Sequence, residues 1–320
     1  MADLPILRRF PDLGTLPRVD IGTFPTPVER VILADGRRLL VKRDDLTASG
    51  IGGNKVRALE WLLGDVRDGD RVITVGPRGS THALITATLA RGLGAHVTVV
   101  RWNQPMNDAA RRVAARLETT ASLVDARAVA AAYAIAGLLR LAPRTRWIPA
   151  GAATPVAALG HVNAALELLE QSRRGEFDLP MRVVVPLGTG GTAAGLALGF
   201  RIAGAPVKVV AVRVVPKILG RHGRVLSLAH RAAHVIERTT GQRLPRVKPH
   251  DVVVADGFYG GGYGRPVEAL ADERALETLG VRLDDTYSRK TFVAAIAQKD
   301  HPTLFWLTFD GRVLDPPGAR

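Results

Sequence analysis

Short apolar segments alternate with helix-like segments over most of the chain. The apolar segments Arg71–Val75, Ala95–Val100, Arg182–Pro186 and Val207–Val214 are typical of strands, and the residues between them have helical composition and spacing. Parallel strands need a crossover between them, usually a helix, so this order constrains the fold strongly. The sequence therefore predicts an α/β fold with a mostly parallel sheet and helices on both of its faces.

The two ends of the chain depart from this alternation. Val31–Leu33 and Arg38–Lys42 flank Asp35-Gly36, which predicts a β-hairpin with Asp-Gly as its turn. Residues 215–265 look less regular, and four tail elements are expected at 266–279, 284–288, 289–297 and a strand at 303–308. A chain of 320 residues can bury a large core, and we expect two lobes.

Composition restricts the classes of function. The chain has 47% apolar residues, no apolar run long enough for a membrane span, and no cysteine, so disulfides and thiolate chemistry are excluded. The first residues lack the apolar core of a signal peptide, and a cytoplasmic protein is expected. The net charge of +14 could indicate nucleic-acid binding, but the arginines are scattered and aromatic residues make up only 5%. We favour attraction of anionic small molecules, and nucleic-acid binding is unlikely on this pattern.

A glycine-rich turn runs into an amphipathic helix at Lys55. The sequence Ser49-Gly50-Ile51-Gly52-Gly53-Asn54-Lys55 is followed by apolar residues at helical spacing. A lysine amine attacks carbonyl groups once it is deprotonated, and burial favours deprotonation by lowering its pKa. The alternative is an exposed lysine on the first turn of a helix, and the lone motif does not decide between the two.

Two further strand-to-helix loops are polar or rich in glycine. Gly188-Thr189-Gly190-Gly191-Thr192 offers backbone N–H groups and hydroxyls at a helix start, which suits a phosphate, although a tight glycine turn would look the same. Gly79-Ser80-Thr81-His82 offers hydroxyls and amides that suit a carboxylate, or that simply cap a helix. Ligands bind at such carboxyl ends in open parallel sheets.

Tyrosines and histidines supply weaker signals late in the chain. Tyr263 lies in a glycine-rich loop and Tyr287 in a late loop, where packing is the usual role of a tyrosine. His230 and His234 are four residues apart, as in some zinc sites, but nothing near them completes a metal motif. We therefore expect no metal site.

Taken together, these motifs resemble the fold-type II pyridoxal-phosphate enzymes. More closely, the chain is similar to the D-cysteine desulfhydrase / 1-aminocyclopropane-1-carboxylate deaminase family over nearly its whole length. The matching segments occur in the family's order and spacing: Phe24-Pro25-Thr26-Pro27, Lys42-Arg43-Asp44-Asp45, Gly52-Gly53-Asn54-Lys55, Gly79-Ser80-Thr81-His82, Ile148-Pro149-Ala150-Gly151, Thr189-Gly190-Gly191-Thr192-Ala193-Ala194-Gly195, Tyr263-Gly264-Arg265-Pro266 and Tyr287.

The resemblance implies a fold, a cofactor and an assembly. The fold would be that of the tryptophan synthase β chain, with two open twisted, mostly parallel sheets and helices on both faces. A small α/β domain, residues 57–160, would be inserted into a large domain formed by residues 1–56 and 161–320. Pyridoxal 5'-phosphate would lie between them, and the protein would be a homodimer without membrane contact.

The resemblance also implies a role for each matching residue. Lys55 would hold the cofactor as a Schiff base and move the α-proton, and Asn54 would lie near the ring hydroxyl. The phosphate would be bound by Thr189, Gly190, Gly191 and Thr192, and the substrate carboxylate by Ser80, Thr81 and His82. Tyr263 and Tyr287 would flank the reacting carbons. Lys55, Ser80, Tyr263 and Tyr287 are thus the expected catalytic residues.

Two positions discriminate between reactions within the family. The ring-opening deaminases usually have an acid after the late tyrosine and a leucine in the last strand, where this chain has Ser288 and Thr308. A hydroxyl near the pyridine nitrogen would leave it largely unprotonated and make the ring a weaker electron sink. The resemblance therefore implies a lyase that eliminates a good β-leaving group from a small, D-cysteine-like amino acid and yields a 2-oxo acid and ammonia.

Some positions depart from the family pattern. Thr81 replaces an asparagine, Ala58 a lysine and Ala152-Ala153 a more polar loop, while Phe309-Asp310 replaces a Gly-Gly pair near the ring. Asp310 could reach the pyridine nitrogen and restore the stronger sink. The alternatives are β-replacement or racemisation with the same cofactor, or a homologue that binds an amino acid or cofactor without catalysis.

Overall fold

Two separate sheets form the framework of the protein. The structure is a computed structural model that describes residues 3–265, 267–268 and 270–315. The larger sheet has six strands, and all of its neighbours are parallel except the first pair. Their spatial order is β1 (Val28–Ile32), β2 (Arg38–Arg43), β10 (Thr303–Leu307), β7 (Arg182–Leu187), β8 (Lys208–Arg213) and β9 (Val252–Ala255).

The smaller sheet has four parallel strands. Their spatial order is β5 (Ser122–Asp125), β4 (His96–Trp102), β3 (Arg71–Pro77) and β6 (Thr145–Ile148). All four fall within residues 57–160, the span predicted for the small domain, whereas the exact domain boundaries stay a prediction. The two sheets and the hairpin of β1 and β2 confirm the fold class that the alternating pattern predicts.

Helices connect the strands and cover the sheets. They are α1 (Pro5–Arg9), α2 (Lys55–Leu62), α3 (Thr81–Gly92), α4 (Asp108–Thr120), α5 (Val129–Leu139), α6 (Ala158–Arg173), α7 (Gly191–Ile202), α8 (His222–Thr240), α9 (Glu273–Glu277) and α10 (Ser288–Ile296). Glycines let α6 and α7 approach closely, since a Cβ at Gly195 would lie 2.5 Å from the Ala158 carbonyl oxygen. In the described part of the chain, no helix is both long and apolar enough to cross a bilayer.

Residues 215–265 are more regular than the sequence indicates. They contain α8, which has 19 residues, and the edge strand β9. Val225, Leu228, Ala232 and Ile236 form the buried face of α8, and histidines and arginines interrupt that apolar pattern along the sequence. His230 lies on this helix with its Nε2 atom 2.9 Å from the Val247 carbonyl oxygen.

The tail segment expected at 266–279 contains only a short helix. α9 spans Glu273–Glu277, while Pro266 and Ala269 lie outside the described residues. The remaining tail expectations agree with the structure, because α10 and β10 occupy the predicted positions.

A network of four buried charges joins α2 to the larger sheet and to α6. The Arg57 guanidinium donates to Asp44 at 2.8 Å and to Glu167 at 2.9 Å, and the Lys42 ammonium donates to Glu167 at 2.6 Å. Asp44 also accepts a hydrogen bond from the Trp306 indole at 2.7 Å. Burial raises the pKa of Glu167, but the nearby Arg57 and Lys42 overcome that effect and lower it to about 2. The two positive charges thus offset the two negative charges, and this pairing compensates for the free-energy cost of burying them.

Removing one charge from this network should strongly destabilise the protein. Arg57→Met leaves Asp44 and Glu167 buried with only Lys42 opposite them, so we expect a loss of about 3–5 kcal/mol in the free energy of unfolding. Urea unfolding followed by tryptophan fluorescence and circular dichroism measures this loss. Arg111→Gln is the control, because Arg111 and Asp108 form an exposed pair worth about 0–0.5 kcal/mol. Equal losses for both variants would contradict the prediction.

Candidate active site

Lys55 lies at the junction of a tightly packed turn and α2. Gly53 has a φ of 121°, and a Cβ on it would lie 2.9 Å from the Thr308 carbonyl oxygen, so the turn needs glycine there. Lys55 is the first residue of α2, with Asn54 at the N-cap position. The turn places the lysine side chain in a cavity of about 520 Å³.

The Lys55 amine is poised to act as a nucleophile or a base. Burial lowers its pKa to about 8, from an ordinary value of 10.5. Within the described residues the amine has no ion-pair or hydrogen-bond partner, so no carboxylate counteracts this shift. A substantial fraction is therefore neutral near physiological pH, as nucleophilic attack requires.

The loop of residues 188–192, here named the cradle loop, lies in the same cavity. It follows β7, and Gly190 takes a φ of 91° to turn the chain into α7. The first intrahelical bond joins the Ala194 N–H to the Gly190 carbonyl, which leaves the preceding N–H groups open to an anion. The Asn54 amide donates to Thr192 Oγ1 at 2.7 Å and thereby ties this loop to the lysine turn.

Ser80, Thr81 and His82 form the start of α3 and also line the cavity. Ser80 Oγ caps the helix by accepting from the Ala83 N–H at 3.2 Å. Burial, assisted by the charge of Lys55, lowers the pKa of His82 to about 3. The imidazole is therefore neutral, and its Nε2 atom lies 3.1 Å from Thr74 Oγ1. Hydroxyls and helix N–H groups, rather than an imidazolium, would bind a carboxylate here.

Tyr263 and Tyr287 meet on another wall of the cavity. Their hydroxyl oxygens are 2.5 Å apart, and their rings pack edge to face with centroids 6.0 Å apart. Burial raises the pKa of Tyr287 to about 12, and burial together with the Tyr287 hydroxyl raises that of Tyr263. Both phenols are thus protonated at neutral pH and can donate hydrogen bonds or protons.

Ser288 and Thr308 are placed differently. Thr308 lines the cavity, but Ser288 is not among the described residues that do. The Ser288 hydroxyl is buried against the Asp284 carboxylate and accepts from the Asp284 N–H at 2.7 Å. The structure therefore places Thr308 at the site and leaves the Ser288 hydroxyl bonded to Asp284.

Phe309 and Asp310 line the cavity, and each also contacts other parts of the protein. The Phe309 side chain is buried in an apolar cluster that also contains Ile51 and Ile85. One Asp310 oxygen accepts from the Gly52 N–H at 2.8 Å, and the other accepts from Arg312 Nε at 2.8 Å. The carboxylate that could reach a pyridine nitrogen is therefore already bonded to the lysine turn and to an arginine.

Sequence reasoning missed several side chains of the site. Gln104, Tyr133 and Arg224 line the cavity, and His161 lies behind the cradle loop with its Nε2 atom 3.4 Å from Thr192 Oγ1. The only signal for His161 was a histidine within an otherwise apolar helix. Nothing local marks the other three, because the folding of distant segments brings them to the cavity.

Fold and site together define an enzyme that uses a lysine amine next to an anion site. A family model described as "Pyridoxal-phosphate dependent enzyme" matches residues 19–301. The chain belongs to this family, and its cofactor is pyridoxal 5'-phosphate. The residues present fit this group, because a lysine of lowered pKa and a loop of open N–H groups share one cavity.

Individual relatives agree with this assignment. "Nocardicin C-9' epimerase" of Nocardia uniformis is 35% identical over 319 residues, covering 92% of this chain and 93% of that protein. "D-cysteine desulfhydrase" of Salmonella choleraesuis is 31% identical over 331 residues, covering 92% and 94%. A crystal structure titled as an "ACC deaminase homologue" has a TM-score of 0.77 at 28% identity, covering 97% of this chain and 95% of that one. The comparisons confirm the family resemblance, the fold class and the cofactor.

The rate at which Lys55 captures the cofactor should reveal its lowered pKa. Only the neutral amine attacks a carbonyl, so the rate should rise with pH and level off just above about pH 8 instead of near 10.5. Stopped-flow absorbance after mixing cofactor-free protein with pyridoxal 5'-phosphate between about pH 6 and about pH 10 measures this. Nα-acetyl-lysine amide is the control, and a protein profile that matches it would contradict the prediction.

A negative charge in the cradle loop should weaken cofactor binding. A Cβ at Gly191 would lie 3.6 Å from Ala153, an ordinary contact, so the position has room for a side chain. Gly191→Asp should raise the Kd for pyridoxal 5'-phosphate by at least about tenfold, because a carboxylate repels a phosphate. Gly191→Ala is the control, because it adds a side chain without a charge, and it should raise the Kd much less. Equal effects of the two variants in equilibrium dialysis would place the phosphate elsewhere.

Proposed function

We propose that the protein is a pyridoxal-phosphate-dependent lyase that eliminates a β-leaving group from a D-cysteine-like amino acid. The products would be a 2-oxo acid, ammonia and the leaving group. The observation that carries this proposal is the Lys55 amine, which has no partner among the described residues and a pKa of about 8, in one cavity with the cradle loop and the start of α3. The family and its named relatives, which include D-cysteine desulfhydrases, support an enzyme of lyase type.

Each group of residues in the cavity would have a separate role in the reaction. The cradle loop would hold the cofactor phosphate, and Ser80, Thr81 and the neutral His82 would hold the substrate carboxylate. Lys55 Nζ would take the proton from the α-carbon, and the protonated phenols of Tyr263 and Tyr287 would orient the reacting carbons. When bound, pyridoxal 5'-phosphate supplies the sink for the electron pair released at the α-carbon.

Bond changes in the proposed reaction balance with water alone. The α-proton passes to Lys55, a double bond forms between the α- and β-carbons, and the bond from the β-carbon to sulfur breaks with its electron pair leaving on the sulfur. The resulting enamine gains a proton at the β-carbon and becomes an imine, and water hydrolyses that imine to the 2-oxo acid and ammonia. No external oxidant or reductant is needed.

The hydrogen bonds of the cavity's acidic side chain favour elimination over the opening of a cyclopropane ring. Asp310 is the only acidic side chain among the described residues that line the cavity, and its oxygens accept from Gly52 and Arg312. Thr308, whose side chain is a neutral hydroxyl, also lines the cavity. A hydroxyl cannot reliably keep a pyridine nitrogen protonated, so the weaker sink suits a substrate that already carries a good leaving group.

Racemisation or epimerisation of an amino acid is a second candidate. It is favoured by the relative named as an epimerase and by protonated groups, Ser80 and Tyr287, that share the cavity with Lys55. Such a reaction needs one group to remove the α-proton and another to return it on the opposite face. β-Replacement and binding without catalysis remain as further outcomes of the experiment below.

Assembly and location form part of the same proposal. A homodimer follows from the family resemblance, and the absence of cysteine from the sequence agrees with a cytoplasmic enzyme. The proposed ligands are the cofactor and a small amino acid, without nucleic acid or membrane.

The proposed function predicts a pattern of substrates. The cofactor-loaded protein should release pyruvate from D-cysteine and β-chloro-D-alanine and should open 1-aminocyclopropane-1-carboxylate at least about a hundredfold more slowly. A lactate dehydrogenase-coupled assay measures pyruvate, and the same coupling with an enzyme that accepts 2-oxobutyrate measures ring opening. Borohydride reduction and peptide mapping should place the cofactor on Lys55, and Lys55→Ala should lose turnover.

Each contrary result has a defined meaning. Efficient ring opening would refute the reaction preference, and labelling at Lys42 or Lys217 would refute the lysine assignment. Incubation of each amino acid in deuterium oxide, followed by chiral chromatography, detects a racemase as solvent-labelled product of opposite hand without pyruvate. Cofactor binding without exchange or turnover would support the non-catalytic alternative.

A further inference from the structure

The mouth of the cavity has a lining that the proposed elimination from D-cysteine does not use. It is formed from both lobes: the end of β4, the first half of α5, the loop after β8 and the start of α8. We name this region the outer subsite and define it by Trp102, Gln104, Val129, Tyr133, Leu219 and Arg224. None of these residues belongs to the lysine turn, the cradle loop or the start of α3.

Much of the outer subsite is apolar and exposed. Val129 is 48% exposed, Tyr133 44% and Leu219 48%, although all three line a cavity. The Tyr133 ring stacks on Trp102 with centroids 6.5 Å apart and an angle of 28° between the rings. Exposed apolar side chains that converge on a cavity are typical of a binding site, and stacked rings favour a flat apolar ligand.

Arg224 adds an unneutralised positive charge to this apolar wall. Within the described residues its guanidinium has neither a hydrogen-bond nor an ion-pair partner, and the one acidic side chain of the lining, Asp310, is paired with Arg312. Arg224 also acts on Tyr133 across the mouth: burial raises the pKa of that phenol, and the charge of Arg224 partly opposes the rise. The aromatic wall and the cation are thus within electrostatic range of each other. The mouth therefore presents a flat apolar wall next to a cation that has no partner among the described residues.

We infer that the outer subsite binds the β-substituent of the substrate, a flat aryl group that carries a negative charge. The inference rests on the proposed function, because Lys55 and the start of α3 would hold the α-carbon and carboxylate of the same molecule. An anionic aryl thiolate would be the leaving group. The bond from the β-carbon to sulfur breaks, the electron pair departs with the sulfur, and the thiolate leaves through the open mouth.

Matched substrates isolate the charge of the aryl group. S-(4-carboxyphenyl)-D-cysteine is anionic, and S-(4-carbamoylphenyl)-D-cysteine has nearly the same shape without the charge. The cofactor-loaded protein should prefer the anionic compound by about tenfold in both Kd and kcat/KM, as expected for a charged hydrogen bond. Calorimetry measures the Kd, and absorbance of the released thiolate measures turnover.

Variants then assign the preference to residues. Arg224→Gln should reduce the ratio between the two substrates to about one, whereas Arg221→Gln should leave it unchanged, because Arg221 is exposed at the same helix end without lining the cavity. Tyr133→Ala should weaken the binding of both aryl compounds by about tenfold, through loss of the stacking surface. Circular dichroism confirms that each variant is folded.

The remaining outcomes separate this inference from the proposed function. Equal affinity of the native protein for both compounds would overturn the inference, even if D-cysteine is a good substrate. A rise in the Kd for pyridoxal 5'-phosphate in Arg224→Gln, with the substrate ratio unchanged, would assign Arg224 to the cofactor phosphate instead. A tenfold preference in Kd without any turnover would support the subsite and refute the lyase.

Discussion

The position of the lysine depends on a buried ion network that does not include it. Arg57 lies two residues after Lys55 in α2, and its guanidinium bonds to Asp44 after β2 and to Glu167 on α6. A buried charge tolerates little displacement, because losing its partner costs several kcal/mol. The network therefore holds the start of α2 against the larger sheet. Lys55, which has no ionic partner in the described part of the chain, can then keep the lowered pKa that its chemistry requires.

Around Lys55 the site avoids competing charges. His82 is held neutral by burial, the two tyrosines are held protonated, and Asp310 is paired with Arg312. Lys55 and Arg224 are then the cations that face the cavity without a neutralising acid from its lining. An environment of this kind selects anionic ligands, which agrees with a phosphate-bearing cofactor and the carboxylate of an amino acid. The positive net charge of +14 acts in the same direction at longer range.

The sequence predicts the parts of this site that rest on local signals. The glycine turn at Lys55, the cradle loop and the start of α3 are each a contiguous strand-end or helix-start motif, and the structure brings them to one cavity. In the ion network, Glu167 lies more than a hundred positions from both Lys42 and Arg57, so no local pattern predicts its pairing with them. Ser288 and Asp284 are only four residues apart, so a local contact between them could have been predicted from the sequence. The family resemblance instead predicts that Ser288 lies near the cofactor ring.

The Phe309-Asp310 pair shows how a departure from a family motif can preserve a site. A Gly-Gly pair would leave the Gly52 N–H without the Asp310 carboxylate that now accepts its hydrogen bond. Arg312 pairs with the same carboxylate and also donates to the Asp45 and Ala48 carbonyls, so the last strand is tied to the lysine turn from both sides. Phe309 packs in the apolar cluster of the small sheet and also lines the cavity. Because the Asp310 carboxylate already accepts hydrogen bonds from Gly52 and Arg312, it has less capacity to accept from a bound ligand, and Thr308 lines the same cavity.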